Sequence, residues 1–428
     1  MKKTFIKVSS IAMLALSSIG FVGCGEDAVD PPVAPVVDAL EGNIAENMTL
    51  TADKSYLLKG KVFVQAGATL TIEPGTIIYG DKATAAALIV NRGAKIDAVG
   101  TAEKPIVFTS NQPAGLRDTG DWAGVVLLGN GISNKGENVT IEGISAAEGE
   151  NGLFGGSNNA DNSGKLSFVR IEYAGIALAP NNELNSLTMG GVGSGTQIDH
   201  IIVSYAGDDS YEWFGGAVNA SYLIANRGID DDFDTDQGYN GNLTYGFAQK
   251  DPALSDMADG GGSRGMENSS SSSENAIVSM PKFKNFTMVG PKVFGSIEGT
   301  NHANAVRNDK FSQASVENSV FIGYVKGFEN KIDGGVDGKG TFSNNVLVAV
   351  EGDATLKNVE EGTNTIISVA DLSTQLTGTP ALDMIEEVKV TGHESKGAFV
   401  SEATAWNLES NWMVLDAQDV DYENGMLK

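Results

Sequence analysis

The sequence predicts an all-β chain, a parallel β-helix solenoid with a capped C-terminus. Three observations carry this. Short runs of Val, Ile and Thr sit between Gly- and Asn-rich turns, with 53 Gly but 11 Pro in 428 residues, which favours many short strands over helices. Segments recur at offsets of 22 to 26 residues with matched side chains. Within them, apolar and polar residues alternate with period two. A single coil of this kind cannot bury its apolar face, but stacked coils build one continuous narrow core.

The chain opens with MKKTFIKVSSIAMLALSSIGFVGC, a basic start, an apolar run and a small residue before the single cysteine. Residues 1–23 read as a secretory signal peptide. Phe21, Val22, Gly23 and Cys24 resemble the bacterial lipobox, which implies lipidation at Cys24 and a lipid anchor in the membrane. Gly25 after the cysteine, by resemblance to the lipoprotein sorting rule, places the protein at the outer membrane or cell surface. One cysteine excludes an intrachain disulfide. Residues 24–48, polar and Pro-containing, read as a lipidated tether. No later run reaches about 18 apolar residues, so no spanning helix is expected.

Residues 49–364 are assigned to the β-helix. VQAGATLTIEPGT at Val64 recurs as VNRGAKIDAVGTA at Val90, an offset of 26, and MGGV at 189 recurs as FGGA at 214, an offset of 25. In SFVRIEYAG, Val169, Ile171 and Tyr173 take one side of a strand and Phe168, Arg170 and Glu172 the other. Residues 255–276, SDMADGGGSRGMENSSSSSENA, break the period and read as a mobile loop. Residues 365–428 change character and hold two of the four tryptophans; they are expected to cap the open end of the stack, where a bare last coil would be a sticky edge.

Net charge is −26, and removal of the signal segment with its three lysines lowers it by three more. Nucleic-acid binding is excluded, because phosphate contacts need a basic stripe. The acids concentrate. GDDSYEWFGG at 207–216 and IDDDFDTDQG at 229–238 hold eight carboxylates and align at an offset of 22. Alternation sends Asp230, Asp232, Asp234 and Asp236 outward and Phe233 inward. The offset stacks Asp208 over Asp230 and Glu212 over Asp234, at a coil spacing of about 4.8 Å. Carboxylates that close repel by about 1 kcal/mol in water and by several times more when desolvated. Asp208, Glu212, Asp230, Asp232, Asp234 and Asp236 are therefore candidate ligands of a hard cation, Ca²⁺. The alternatives are a solvated acidic face, pairing with Arg227, or catalysis. Asp209 and Asp231 fall on the inward phase, where an unpaired charge is costly; they are expected in a turn at the strand start or bonded to backbone amides. Tyr211 and Trp213 flank the acids, and an outward Trp213 would make a sugar platform, with core packing as the other reading.

KPIVFTS (104–110), GDWAGVVLLG (120–129), GDDSYEWFGG, DDDFDTDQG, MADGGG (257–262), VRND before VENSVFIG (306–323) and the GAF…NW ending (397–412) resemble, in order, a family of bacterial cell-surface right-handed β-helix proteins, many of them lipoproteins. The resemblance spans nearly all of 60–415 and implies a right-handed helix of the pectin-lyase-like fold. It implies no reaction. Other β-helices act on polysaccharides, but the Gly-His-Gly and Arg-Ile-Lys signature of polygalacturonases is missing here. The three histidines, His200, His302 and His393, are far apart in sequence, so no zinc motif or Ser-His-Asp order can be drawn; His200 is expected to face outward from a strand in a structural role. The function expected is a monomeric, lipid-anchored binding or adhesive module for glycan, matrix or cations, stabilised by Ca²⁺. The alternative is a surface polysaccharide lyase or glycoside hydrolase using the acidic groove.

Overall fold

In the computed structural model, residues 37–428 are described apart from 145–150, 180–181, 258–260, 272–276, 334, 336, 401–405, 407, 409, 415–421 and 423–428. Short strands wind into a right-handed parallel β-helix with three faces. One coil shows the plan. Residues 197–199 of the strand Gln197–Ser204 lie on one face, and the chain bends at His200. Residues 201–204 lie on the next face, and Tyr211–Phe214 on the third. Every pairing between coils along these faces is parallel, and the next coil repeats the plan 22 residues later, with Ile201 beside Leu223 and Tyr211 beside Phe233. The core is the inward set, from Leu50 and Leu70 through Ile96, Leu166, Ile201 and Leu223 to Leu347.

The bend after the first face forms a column of non-glycine residues in the left-handed region: Phe168, His200, Tyr222, Tyr245, Asn285, Asn318 and Asn344, with φ between 51° and 62°. This conformation is disfavoured for L-residues, and the stack offsets it. Ring centroids lie 4.2 Å apart for Phe168–His200, 4.6 Å for His200–Tyr222 and 5.0 Å for Tyr222–Tyr245. The column then changes to amides, with Asn344 donating to Asn318 at 3.0 Å and Asn318 to Asn285 at 2.6 Å. His200 thus lies in an aromatic stack at a corner, with Nδ1 2.7 Å from Asp199.

The structure corrects three expected boundaries. The first strand is Val37–Ile44, paired to Ser55–Val64, so the β-helix starts inside the stretch assigned to the tether. Leu40 and Ile44 supply its apolar face and join the core. The stretch 255–276 holds the strand Met266–Asn268 on the third face, because Met266 packs inward beside Phe233 and Glu267 continues the outward column. Where a cap on the end was expected, the described residues of the C-terminal segment cover the side of the stack. Thr365–Val369 is still a strand of the helix, paired to Val346–Val350. Beyond it the chain runs back along the side. Val388 and Val390 cover Val320 and Val346, Phe399 covers Phe247 at 5.6 Å, and Trp412 meets Phe168 edge-on at 5.7 Å. Tyr422 reaches the buried Arg170–Glu172 pair. Phe399, Trp412 and Met413 thereby cover an outward apolar patch on the second face, Ile202, Ile224, Phe247 and Val289.

Among the described residues no helix is long and apolar enough to cross a membrane. Cys24 and the signal segment lie outside them.

Candidate functional site: a carboxylate ledge

The ledge is built by register. Tyr211, Glu212, Trp213 and Phe214 pair with Phe233, Asp234, Thr235 and Asp236, so Glu212 stands over Asp234 as the offset of 22 predicts. The strand begins only at Phe233. From there alternation holds: Phe233 and Thr235 are wholly buried, while Asp234 and Asp236 are partly exposed. Tyr211 and Trp213 are both wholly buried and stack 5.8 Å apart, so Trp213 is a core residue and forms no sugar platform.

Before Phe233 the chain turns the corner, and alternation no longer applies. Asp232 does not point outward. It is wholly buried, with Oδ1 3.1 Å from Nζ of the equally buried Lys250 and Oδ2 3.5 Å from the Tyr324 hydroxyl. Lys250 also donates to the Asp230 carbonyl. Burial lifts the Asp232 carboxyl to about 7 even though Lys250 pulls the other way. Asp232 therefore leaves the candidate ligand set. Asp236 is not among the carboxylates that come within metal-sharing distance of one another; its carboxylate accepts from the Ser271 hydroxyl and, at 2.6 Å, from the Gln237 amide. Arg227 does not pair with the ledge either; it binds Asp251 at 2.7 Å and lies over the Tyr205 ring.

Asp209 and Asp231 do both things the sequence offered for them: they sit in the corner, and they cap amides. Asp209 Oδ1 accepts the Asp231 N–H at 2.8 Å, and Asp231 Oδ1 accepts the Arg264 N–H at 2.5 Å. The result is a carboxylate ladder that passes each side chain to the next coil.

Five carboxylates come together. Oxygens of Asp208, Asp209 and Asp230 lie within 4.8 Å of one another, as do those of Asp209, Glu212 and Asp234. Asp208, Glu212, Asp230 and Asp234 were legible in the sequence; Asp209, common to both triads, was not, because its phase in the repeat is inward. Among the described residues no Lys or Arg forms an ion pair with any of the five. Lys250 is committed to Asp232 and the Asp230 carbonyl, and Arg264 to Asp231 at 3.6 Å and Glu267 at 3.1 Å. The electrostatic cost is plain. Burial, then the charges of Glu183 and Glu142, push Asp208 up to about 8. Burial and neighbouring acids push Asp209, Glu212, Asp230 and Asp234 well above the usual carboxylate range.

The hairpins Val139–Thr140/Leu153–Phe154 and Ile176–Ala179/Asn182–Leu184 border the ledge. Ile141, Ile144, Phe154 and Leu184 pack with the outward Val126, Leu128 and Phe214 of the third face. This cover brings Glu142 alongside the ledge, where burial and the Glu183 charge lift it to about 7. Asn185, wholly buried, donates Nδ2 to Glu212, while its Oδ1 has no donor. Oδ1 of Asp230 and Oδ1 of Asp234 are likewise buried without a donor. A dense set of hard oxygens, several lacking hydrogen-bond donors, fits a Ca²⁺-type ion.

Comparison with curated proteins and with solved structures gives no match. The model of a pectate-lyase-like β-helix domain matches residues 42–412. That range runs from the first coil to the returning C-terminal segment, and the chain belongs to the pectate-lyase-like β-helix family.

Proposed function

We propose that the protein is a cell-surface β-helix that binds Ca²⁺ on the carboxylate ledge and serves as a non-catalytic binding module for acidic glycan or matrix. The observation that carries the reading is the pair of carboxylate triads, with which no Lys or Arg side chain among the described residues forms an ion pair. Bound Ca²⁺ would offset much of the ledge's charge and leave open coordination positions for a ligand carboxylate. Catalysis is disfavoured by the state of the nearby bases. Lys250 is sealed in its pair with Asp232, and Arg264 in its pairs with Asp231 and Glu267, so neither is placed to take a proton from a substrate.

The test is melting of the purified chain in Ca²⁺ and in EDTA. A cation that binds only the folded state at 100 times its dissociation constant adds about 2.7 kcal/mol. Wild type should gain that stabilisation, and Asp209→Asn combined with Asp234→Asn should not. No gain in wild type, or an equal gain in the variant, removes the reading. Release of new reducing ends or unsaturated uronates from acidic polysaccharides would replace the binding module with the lyase or hydrolase alternative.

Anchoring through a lipid on Cys24 belongs to the same proposal. Its support is the lipobox-like stretch 21–24. Mass spectrometry of the mature N-terminus should find a diacylated or triacylated cysteine, and Cys24→Ser should release the protein from the membrane fraction.

A further inference from the structure

We infer that the ledge holds two Ca²⁺-class cations rather than one, with Asp209 bridging them and Asn185 contributing to the second. This rests on the cation-binding reading above. Two oxygens on one ion at about 2.4 Å can be no more than about 4.8 Å apart. The five carboxylates meet that limit as two triads that share only Asp209. Asp208 and Asp230 serve one ion, and Glu212 and Asp234 the other. Asp209 has the capacity to bridge. An ionised carboxylate offers about four lone-pair sites, and the Asp231 N–H takes one of them at 2.8 Å.

Each triad contains a buried oxygen that no donor reaches, Oδ1 of Asp230 in the first and Oδ1 of Asp234 in the second. A further oxygen belongs to neither triad. Asn185 precedes Ser186, whose N–H donates to the Asp209 carbonyl at 3.0 Å, so Asn185 sits one coil from the shared carboxylate. Its amide nitrogen bonds Glu212, and its wholly buried Oδ1 has no donor. A buried acceptor left in that state is costly, and a cation beside Glu212 satisfies it. With all five carboxylates ionised as ligands, one divalent ion leaves three negative charges uncompensated, and two leave one.

The experiment is a Ca²⁺ titration of the metal-stripped full chain by calorimetry, with equilibrium dialysis to count bound ions. Wild type should bind two per chain. Asp208→Asn and Glu212→Gln should each leave one, and Asp209→Asn should weaken both at least tenfold. Asn185→Ala should weaken only the ion that Glu212→Gln removes. Asp209→Asn keeps an oxygen to accept the Asp231 N–H, and far-UV circular dichroism checks that each variant is folded. One ion in wild type, or loss of both ions in Asp208→Asn, overturns the two-ion assignment and leaves Ca²⁺ binding standing. No ion in wild type overturns both.

Discussion

One outward column on the third face passes through two regimes. From its N-terminal end it reads Phe63, Ile89, Val126, Thr188, Glu212, Asp234, Glu267, Arg307, Glu329 and Lys357, each in register with the next. From Glu267 onward every acid has a base. Arg264 and Arg307 reach Glu267 at 3.1 and 3.7 Å, and Lys357 reaches Glu329 at 2.5 Å. At Glu212 and Asp234 no Lys or Arg among the described residues forms an ion pair. Backbone, spacing and face are the same in both regions. The difference is that the later coils carry their own counter-charges, whereas at Glu212 and Asp234 none is found among the described residues; under the proposed function an ion would supply it. Acid content alone therefore does not mark a cation site; the mark is acid content that the next coil fails to balance.

The largest effect comes from removing the counter-charge of a paired acid that sits beside the ledge, Asp232. Lys250→Met leaves Asp232 buried and alone, and loss of one partner from a buried pair costs about 3–5 kcal/mol. Chemical denaturation should show that loss, and adding Asp232→Asn should recover most of it. Full stability of Lys250→Met would mean that the pair does not hold the corner together.

A smaller effect separates the regions by pH. Burial alone would raise Asp309, but the Lys331 ammonium, the Arg307 guanidinium and the Lys310 amide outweigh it and hold the carboxyl below its usual range. Its contribution is then complete above the unfolded value of about 3.9 and disappears as pH falls through the lower folded value. Asp309→Asn should destabilise the protein at pH 6 and have no further effect once wild type is fully protonated. Denaturation midpoints from pH 6 to pH 2.5 measure this, and parallel curves for the two proteins would contradict it. The smallest effect is at the exposed end of the column. Lys357→Ala removes a pair whose lysine is mostly in water, and the denaturation midpoint should move by less than about 1 kcal/mol.

Much of the fold was legible because stacking repeats the same side-chain roles in every coil. The offset of 22 is the observed register, and Phe233 and Asp234 take the predicted sides. Legibility failed at corners. Alternation belongs to extended backbone and says nothing of Asp232, which lies one residue before the strand and turns inside to Lys250. Asp209 was missed as a ledge residue for the same reason. The aromatic column of Phe168, His200, Tyr222 and Tyr245 was also hidden, since a left-handed bend within a β run leaves no signature beyond the side chains that happen to suit it. The course of the C-terminal segment could not be read because its mixed periodicity does not say which surface it covers. Trp406 and Trp412 suggested packing, and only the outward Ile202, Ile224 and Phe247 say where.

That returning segment changes how the molecule is completed. In a simple solenoid each coil touches its neighbours alone, and assembly can proceed coil by coil as chain becomes available. Here the Trp412 N–H donates to the Ala102 carbonyl at 3.1 Å, more than 300 residues away along the chain, and Tyr422 meets Arg170. A polypeptide emerging N-terminus first therefore holds its early coils with a greasy flank open until Trp412 and Tyr422 have arrived. A chain cut after Val369 keeps almost every coil yet leaves that flank unsealed.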